Sequence, residues 1–235
     1  MTEPDQQSRL LATAAARVEF IERLVDELVE RFGSGAHVDD IATARKQYDD
    51  RRGRVFEDET LWEEWTRAFL EWYVVERVPQ GEDLPPVAHA LAGETDPMRA
   101  AAMRALLTSH RSLYEVRALK PAGVHLVDVL GGAEFSVSEE RALHGVSPGD
   151  VAELRLIGFD GAVLFGRTFL FHPSGTREAI ISHARRIAND GGDRRDVIDY
   201  CASLRIRCER YRHVSAARIY EAATSDFPRG RIDSA

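Results

Sequence analysis

The apolar period of this chain changes at Ser112, and nothing else in it constrains the fold as strongly. Upstream, hydrophobic residues recur at three- and four-residue spacings; from 113 to 171 they alternate in short runs cut by turn residues. Candidate strands fall at 113–119, 123–129, 133–138, 151–157 and 162–171. Gly131 and Gly132 read as a hairpin turn, Ser147 to Asp150 as a tight loop, and Asp160 with Gly161 as a strong hairpin signal. Five short antiparallel strands in about 60 residues predict a small barrel or a strongly curled sheet. Helical spacing resumes at Thr176, breaks at Gly191 and Gly192, and continues from about 194 to 223, with a loose tail after it. The expected fold class is α+β: mainly helical, with a small five-stranded antiparallel barrel-like sheet between N- and C-terminal helices. Its expected segments are a helical region (8–111), a β module (112–173) and a C-terminal helical hairpin (174–223), which can also pack as one domain.

The upstream helices carry their own signals. Residues 8–32 read as one amphipathic helix, with a seam of Leu11, Ala14, Val18, Ile21, Val25, Leu28 and Phe32 that Gly33 and Gly35 terminate. A helix over 39–51 takes Asp39 as its N-cap and turns Ile41, Ala44 and Tyr48 inward. The most hydrophobic helix, 58–77, holds all three tryptophans. Its broad face of Leu61, Trp65, Phe69, Trp72 and Tyr73 is expected in the core, and Glu63, Glu64 and Glu71 on its wet side. Short helices start at Asp83 and at Asp96, where Pro97 takes the first helical position.

Composition narrows the function classes. Hydrophobic residues make up 44% and charged residues 30% of the 235, the balance of a folded protein. The apolar runs are far shorter than the ~20 residues of a membrane span. The opening MTEPDQQSRLL has acids where a secretory signal has basic residues, so a cytoplasmic protein is expected. Net charge is −8, but residues 1–100 hold 12 basic against 22 acidic groups and residues 101–235 hold 19 against 17. An acidic total counts against generic nucleic-acid binding and leaves room for a local basic patch.

Two segments together resemble a known pattern. The helix bearing Phe69 to Tyr73 precedes EVRALKPAGVHLVDVLGGAEFSV (115–137) and SPGDVAELRL (147–156). This resembles the uncharacterised helical-plus-β module found beside SEC-C metal-binding motifs in bacterial proteins, with Asp128 to Gly131 and Gly149 with Asp150 in the corresponding turns. The resemblance covers 56–172 and implies a fold only; the cysteine-rich zinc motif is absent from the sequence.

Catalytic and cofactor motifs are sought with little return. Lys46 precedes Gln47 and Lys120 precedes Pro121, which excludes a Walker A loop. No G-x-S-x-G, H-E-x-x-H or EF-hand loop occurs, and no cofactor is expected. His125 and Asp128, three apart in a strand, point to opposite faces. Cys201 and Cys208, seven apart on a helix, are separated by ~10 Å along its axis, too far for a disulfide. With His213 they do not converge on one ion, so no metal site is expected. What stands out is Arg205, Arg207, Arg210, Arg212 and Arg218 around the stripe Val197, Cys201, Leu204, Cys208 and Tyr211. These arginines either line a packed helix and pair with the acidic N-terminal half, or form a docking strip for an acidic protein partner or a phosphate-bearing ligand. The expectation is a non-enzymatic interaction and regulatory protein, for example an accessory factor for a small GTPase, with those five residues binding the partner. A nucleic-acid binder using the β module and the arginine helix is one alternative, and an enzyme of unfamiliar type is another.

Overall fold

The computed structural model describes residues 11, 13–140 and 143–222. The start of the expected first helix, 8–10, and the expected loose tail lie outside the described residues. Helix α1 (Ala14–Gly33) begins where Thr13 accepts a hydrogen bond from the Ala16 amide at 3.1 Å. It buries Ala14, Val18, Ile21, Leu24, Val25 and Leu28. A single 3₁₀ turn leads into α2 (Val38–Arg52). Asp39 is not its N-cap: that position is His37, and Asp39 lies one residue inside the helix. The neighbouring Asp40 carries the structural contacts, accepting both terminal guanidinium nitrogens of Arg77 at 2.8 and 2.7 Å and the Tyr73 hydroxyl at 3.0 Å.

Helix α3 (Trp62–Val75) starts four residues later than its pattern suggests, because Glu59 accepts from the Phe56 amide and holds 56–59 in a turn. Trp65, Phe69 and Tyr73 are buried, as the periodicity indicates, while Trp62 and Trp72 are half-buried. Tyr48 of α2 packs among them, with ring centroids 5.8 Å from Trp65, 5.5 Å from Phe69 and 5.3 Å from Trp72. Helix α4 (Pro86–Ala92) follows, then α5 (Pro97–Leu107), which Asp96 caps by accepting from Met98 and Arg99.

Five strands follow: β1 (His110–Lys120), β2 (Gly123–Asp128), β3 (Glu134–Ser138), β4 (Val151–Phe159) and β5 (Ala162–Phe171). All neighbours pair antiparallel in the order β3-β2-β1-β4-β5. The turn at Asp160 and Gly161 has φ of 49° and 73°, the double positive φ of a tight hairpin. Register shifts at Val116/Ala118 and Leu154/Leu156 bend the sheet. The barrel-like expectation is corrected here: β3 and β5 approach each other but share no ladder, so the sheet is curled and open.

The expected helix from 194 to 223 is two helices. After α6 (Arg177–Asn189), α7 (Arg194–Arg210) starts at an Asp193–Asp196 capping box and stops at Tyr211. The short α8 (Ala216–Ala222) returns so that buried Tyr220 shares a hydrogen bond with His172 Nδ1 and accepts one from His183 Nε2. Both histidines are buried.

The two faces of the sheet do different work. Alternate residues of β4 divide cleanly: Ala152, Leu154 and Leu156 line the inside of the curl with Tyr114, Val116, Leu126 and Phe165. Ile157 and Phe159 join the core made by α1–α5, and Val151 joins the core of α6–α8. Glu153 and Arg155 lie on this same helix-covered face and are buried.

Candidate functional site

Charged residues that alternate in a strand usually face water. Here they meet a complementary set from the helices. Arg52, 1% exposed at the end of α2, donates to Asp199 of α7 at 2.9 Å and to Glu153 at 2.7 Å. Arg111 of β1 donates to Glu153 at 3.0 Å and to both oxygens of Glu76 at 2.9 and 3.1 Å. Arg155 bonds Glu71 and Glu76, and Arg51 completes the set on Asp199 at 2.7 Å. Four guanidinium groups and four carboxylates therefore balance. Burial alone would raise the Glu76 and Glu153 carboxyls, but the adjacent arginines overcome it and hold both below the usual range. Glu71 is thus not on a wet side: it is 4% exposed and also accepts the Arg167 amide.

Beside this lattice, where α5 hands over to β1, lies a cleft of ≈670 Å³ lined by Glu76, His110, Arg111, Arg155, Arg194 and Arg195, among others. Next to it stands Asp128, at the end of β2 and 1% exposed. It accepts from the Ser112 hydroxyl at 2.7 Å, Arg194 at 2.6 Å and the Leu130 amide at 2.9 Å. These bonds hold its carboxyl below the ordinary value despite burial. A Cβ on Gly131 would come within 2.9 Å of Arg194 Nη2 and 3.0 Å of Asp128 Oδ2. Asp128 and Gly131 are therefore a coupled pair: the acid turns the chain, and the glycine leaves room for its arginine.

Ser112, His110 and Asp128 bring together the residue types of a nucleophile, base and orienter, but the bonds run wrongly for that chemistry. Ser112 is fully buried and gives its proton to Asp128, and Arg194 donates to His110 Nε2 at 2.7 Å, occupying the nitrogen a base would use. The cleft is lined instead by four arginines, of which Arg111, Arg155 and Arg194 are paired with carboxylates, together with Glu76 and Asp193.

The residues singled out in the sequence scatter around this site. His125 bonds Glu134 across β2–β3 at 3.4 Å, apart from Asp128. Cys201 and Cys208 are free; burial raises both thiols. Among the described residues no group of three or more His, Cys, Asp or Glu could hold a metal ion, and no helix is long and apolar enough to cross a membrane. Three of the five arginines also bond within the chain. Arg205 donates to the Phe171 carbonyl and to Glu209; Arg210 donates to Glu59 and to the Arg54 carbonyl. Arg212, in the break after α7, bonds Glu209 and Thr60. Arg207 and Arg218 are exposed, with no side-chain hydrogen bond or ion pair among the described residues.

Sequence reasoning missed Arg52, Glu76, Arg111, Glu153, Arg155 and Arg194 and misplaced Glu71. A signal was present: a short strand with Glu153 and Arg155 between apolar residues, and an aromatic helix carrying acids, are complementary surfaces. No curated protein and no solved structure matches the chain, and nothing in the comparisons connects it with the SEC-C-associated module. The model of DUF7986, a family of unknown function, matches residues 19–198, a span that contains His110, Asp128, Arg155 and Arg194 and ends before Arg205, and the chain belongs to that family.

Proposed function

We propose that this is a non-enzymatic, cytoplasmic interaction protein that regulates an acidic protein partner, which it binds through the arginines of its C-terminal helices. One observation carries the reading. The buried ionisable groups neutralise one another, whereas Arg185, Arg195, Arg207 and Arg218 of α6–α8 are exposed and without side-chain partners among the described residues. Residues 177–222 hold ten arginines against seven carboxylates in a chain whose total is −8. Guanidinium groups suit bidentate capture of carboxylates, and Arg195 stands at the cationic cleft where a partner's acidic side chain can enter. Arg205, Arg210 and Arg212 contribute to this surface while also bonding within the chain.

The test is capture of partners by wild type and by Arg195→Glu combined with Arg207→Glu and Arg218→Glu. These are exposed positions without partners, so the variant keeps its fold by circular dichroism. The expected result is loss of capture, with wild-type capture weakening as salt rises and surviving nuclease treatment. A folded variant that captures the same partners overturns the reading, and capture abolished by nuclease assigns the surface to nucleic acid instead.

A further inference from the structure

The inside of the curled sheet encloses a second cavity, ≈470 Å³, which shares no lining residue with the cationic cleft. Four strands contribute apolar walls, among them Val116, Leu126, Leu154 and Phe165. Leu143 and Val146, from the β3–β4 connection, pack against the same core and turn an open sheet face into a pocket. The volume falls in the range of small-molecule sites, and the mouth of a curled or closed sheet is a recurrent place for them.

The polar residues of this cavity are few and sit on two neighbouring elements: Glu64 and Arg67 of α3, Arg167 and Thr168 of β5, with His144 from the connection. Two of their atoms, Arg167 Nε and Thr168 Oγ1, are buried with no hydrogen-bond partner. Such groups are costly to leave unmade, and both can donate to one oxygen-rich ligand group. Arg67 is half-exposed and bonds Glu63 only at 3.4 Å; Arg167 uses Nη1 on Asp26. Asp26 and Glu63 take one end of each guanidinium and Glu64 also lines the wall, so it is the buried, unpartnered Arg167 Nε and Thr168 Oγ1 that favour a hydrogen-bond-accepting, anionic head.

We propose that this cavity binds a small amphipathic carboxylate, with its apolar body against Val116, Leu126, Leu154 and Phe165 and its carboxylate taken by Arg167, Arg67 and Thr168. The apolar walls select for the body and the donors for the charge. This site is independent of the partner surface on α6–α8.

Isothermal titration of the full chain with decanoate and with decanol, which share an apolar body, separates the two contributions. Decanoate should bind one per chain, about tenfold or more tighter than decanol, the gain of a charge-assisted hydrogen bond. Ala152 lines the cavity, so Ala152→Phe should abolish binding of both by filling it. Thr168→Val keeps the shape and removes the donor: decanoate should bind several-fold more weakly, decanol unchanged, and the thermal midpoint should hold or rise. Equal affinity for the two ligands, no heat from either, or undiminished decanoate binding by Thr168→Val overturns the proposal. Should Ala152→Phe fail to fold, the titration pair and Thr168→Val decide it alone. Elution as a dimer that decanoate does not dissociate also overturns it, because the second copy then occupies the face.

Discussion

The two faces of the five-stranded sheet are made from the same strands and filled by opposite chemistry. On β4 the inward positions Ala152 and Leu154 line a partly empty apolar space and Leu156 packs in the same cluster, while the outward positions Glu153 and Arg155 are locked against helices by ion pairs. The apolar face is tolerant, because dispersion contacts are many and individually weak. The ionic face is not: Arg52, Glu71, Glu153, Arg155 and Asp199 are buried, and removing one of them strands a charge.

The contrast is broken most directly by paired substitutions on adjacent residues. Arg155→Met leaves Glu71 and Glu76 without their shared partner and should cost about 3–5 kcal/mol by urea unfolding. A cost near zero would mean that water reaches the lattice and that the ionic face is ordinary surface. Acid titration probes the polar groups behind α6–α8. Burial pushes His172 down to about 4, against 6.5 when unfolded, so the native state binds fewer protons between those values. Its stabilisation is complete above about pH 6.5 and is lost as pH falls toward 4, by about 3 kcal/mol. His183 shifts in the same direction. Glu76 and Glu153, with values lowered by the adjacent arginines, lose their contribution only below the ordinary carboxylate range. Unfolding free energy measured from pH 7.5 to 4.5 should slope accordingly, and His172→Gln should flatten it.

On the apolar face Leu154→Ala should cost about 2–3 kcal/mol, the low end for a buried leucine, because the side chain already borders free space. A loss above that of Arg155→Met would reverse the ranking of the faces. The smallest effect is expected at Arg210, half-exposed and bonded to Glu59: Arg210→Ala should change stability by about 0–1 kcal/mol.

Local signals were legible in proportion to how local their causes are. The strands were readable to within about three residues, because alternation and the Asp160–Gly161 turn are properties of neighbouring residues. The buried aromatic face of α3 followed from helical spacing. The break after Arg210 did not, because Tyr211 to Ser215 contain no glycine or proline, and what bends the chain is Tyr220 reaching His172 and His183. The pairing of Glu71 with Arg155 was hard to read for a sharper reason: periodicity says which side a residue faces, not what covers that side. The turn acid Asp128 was visible as a turn; its partner Arg194 is 66 residues away.

Arg52 closes two loops at once, one to Glu153 across 101 residues and one to Asp199 across 147. Such contacts repay chain closure only after both ends have been made, which places them late in assembly. During synthesis the first helices and the sheet emerge while Arg52 still waits for Asp199 of α7. The bond from Arg52, which lies over the Trp65 ring, to Asp199 therefore cannot close until residue 199 has left the ribosome.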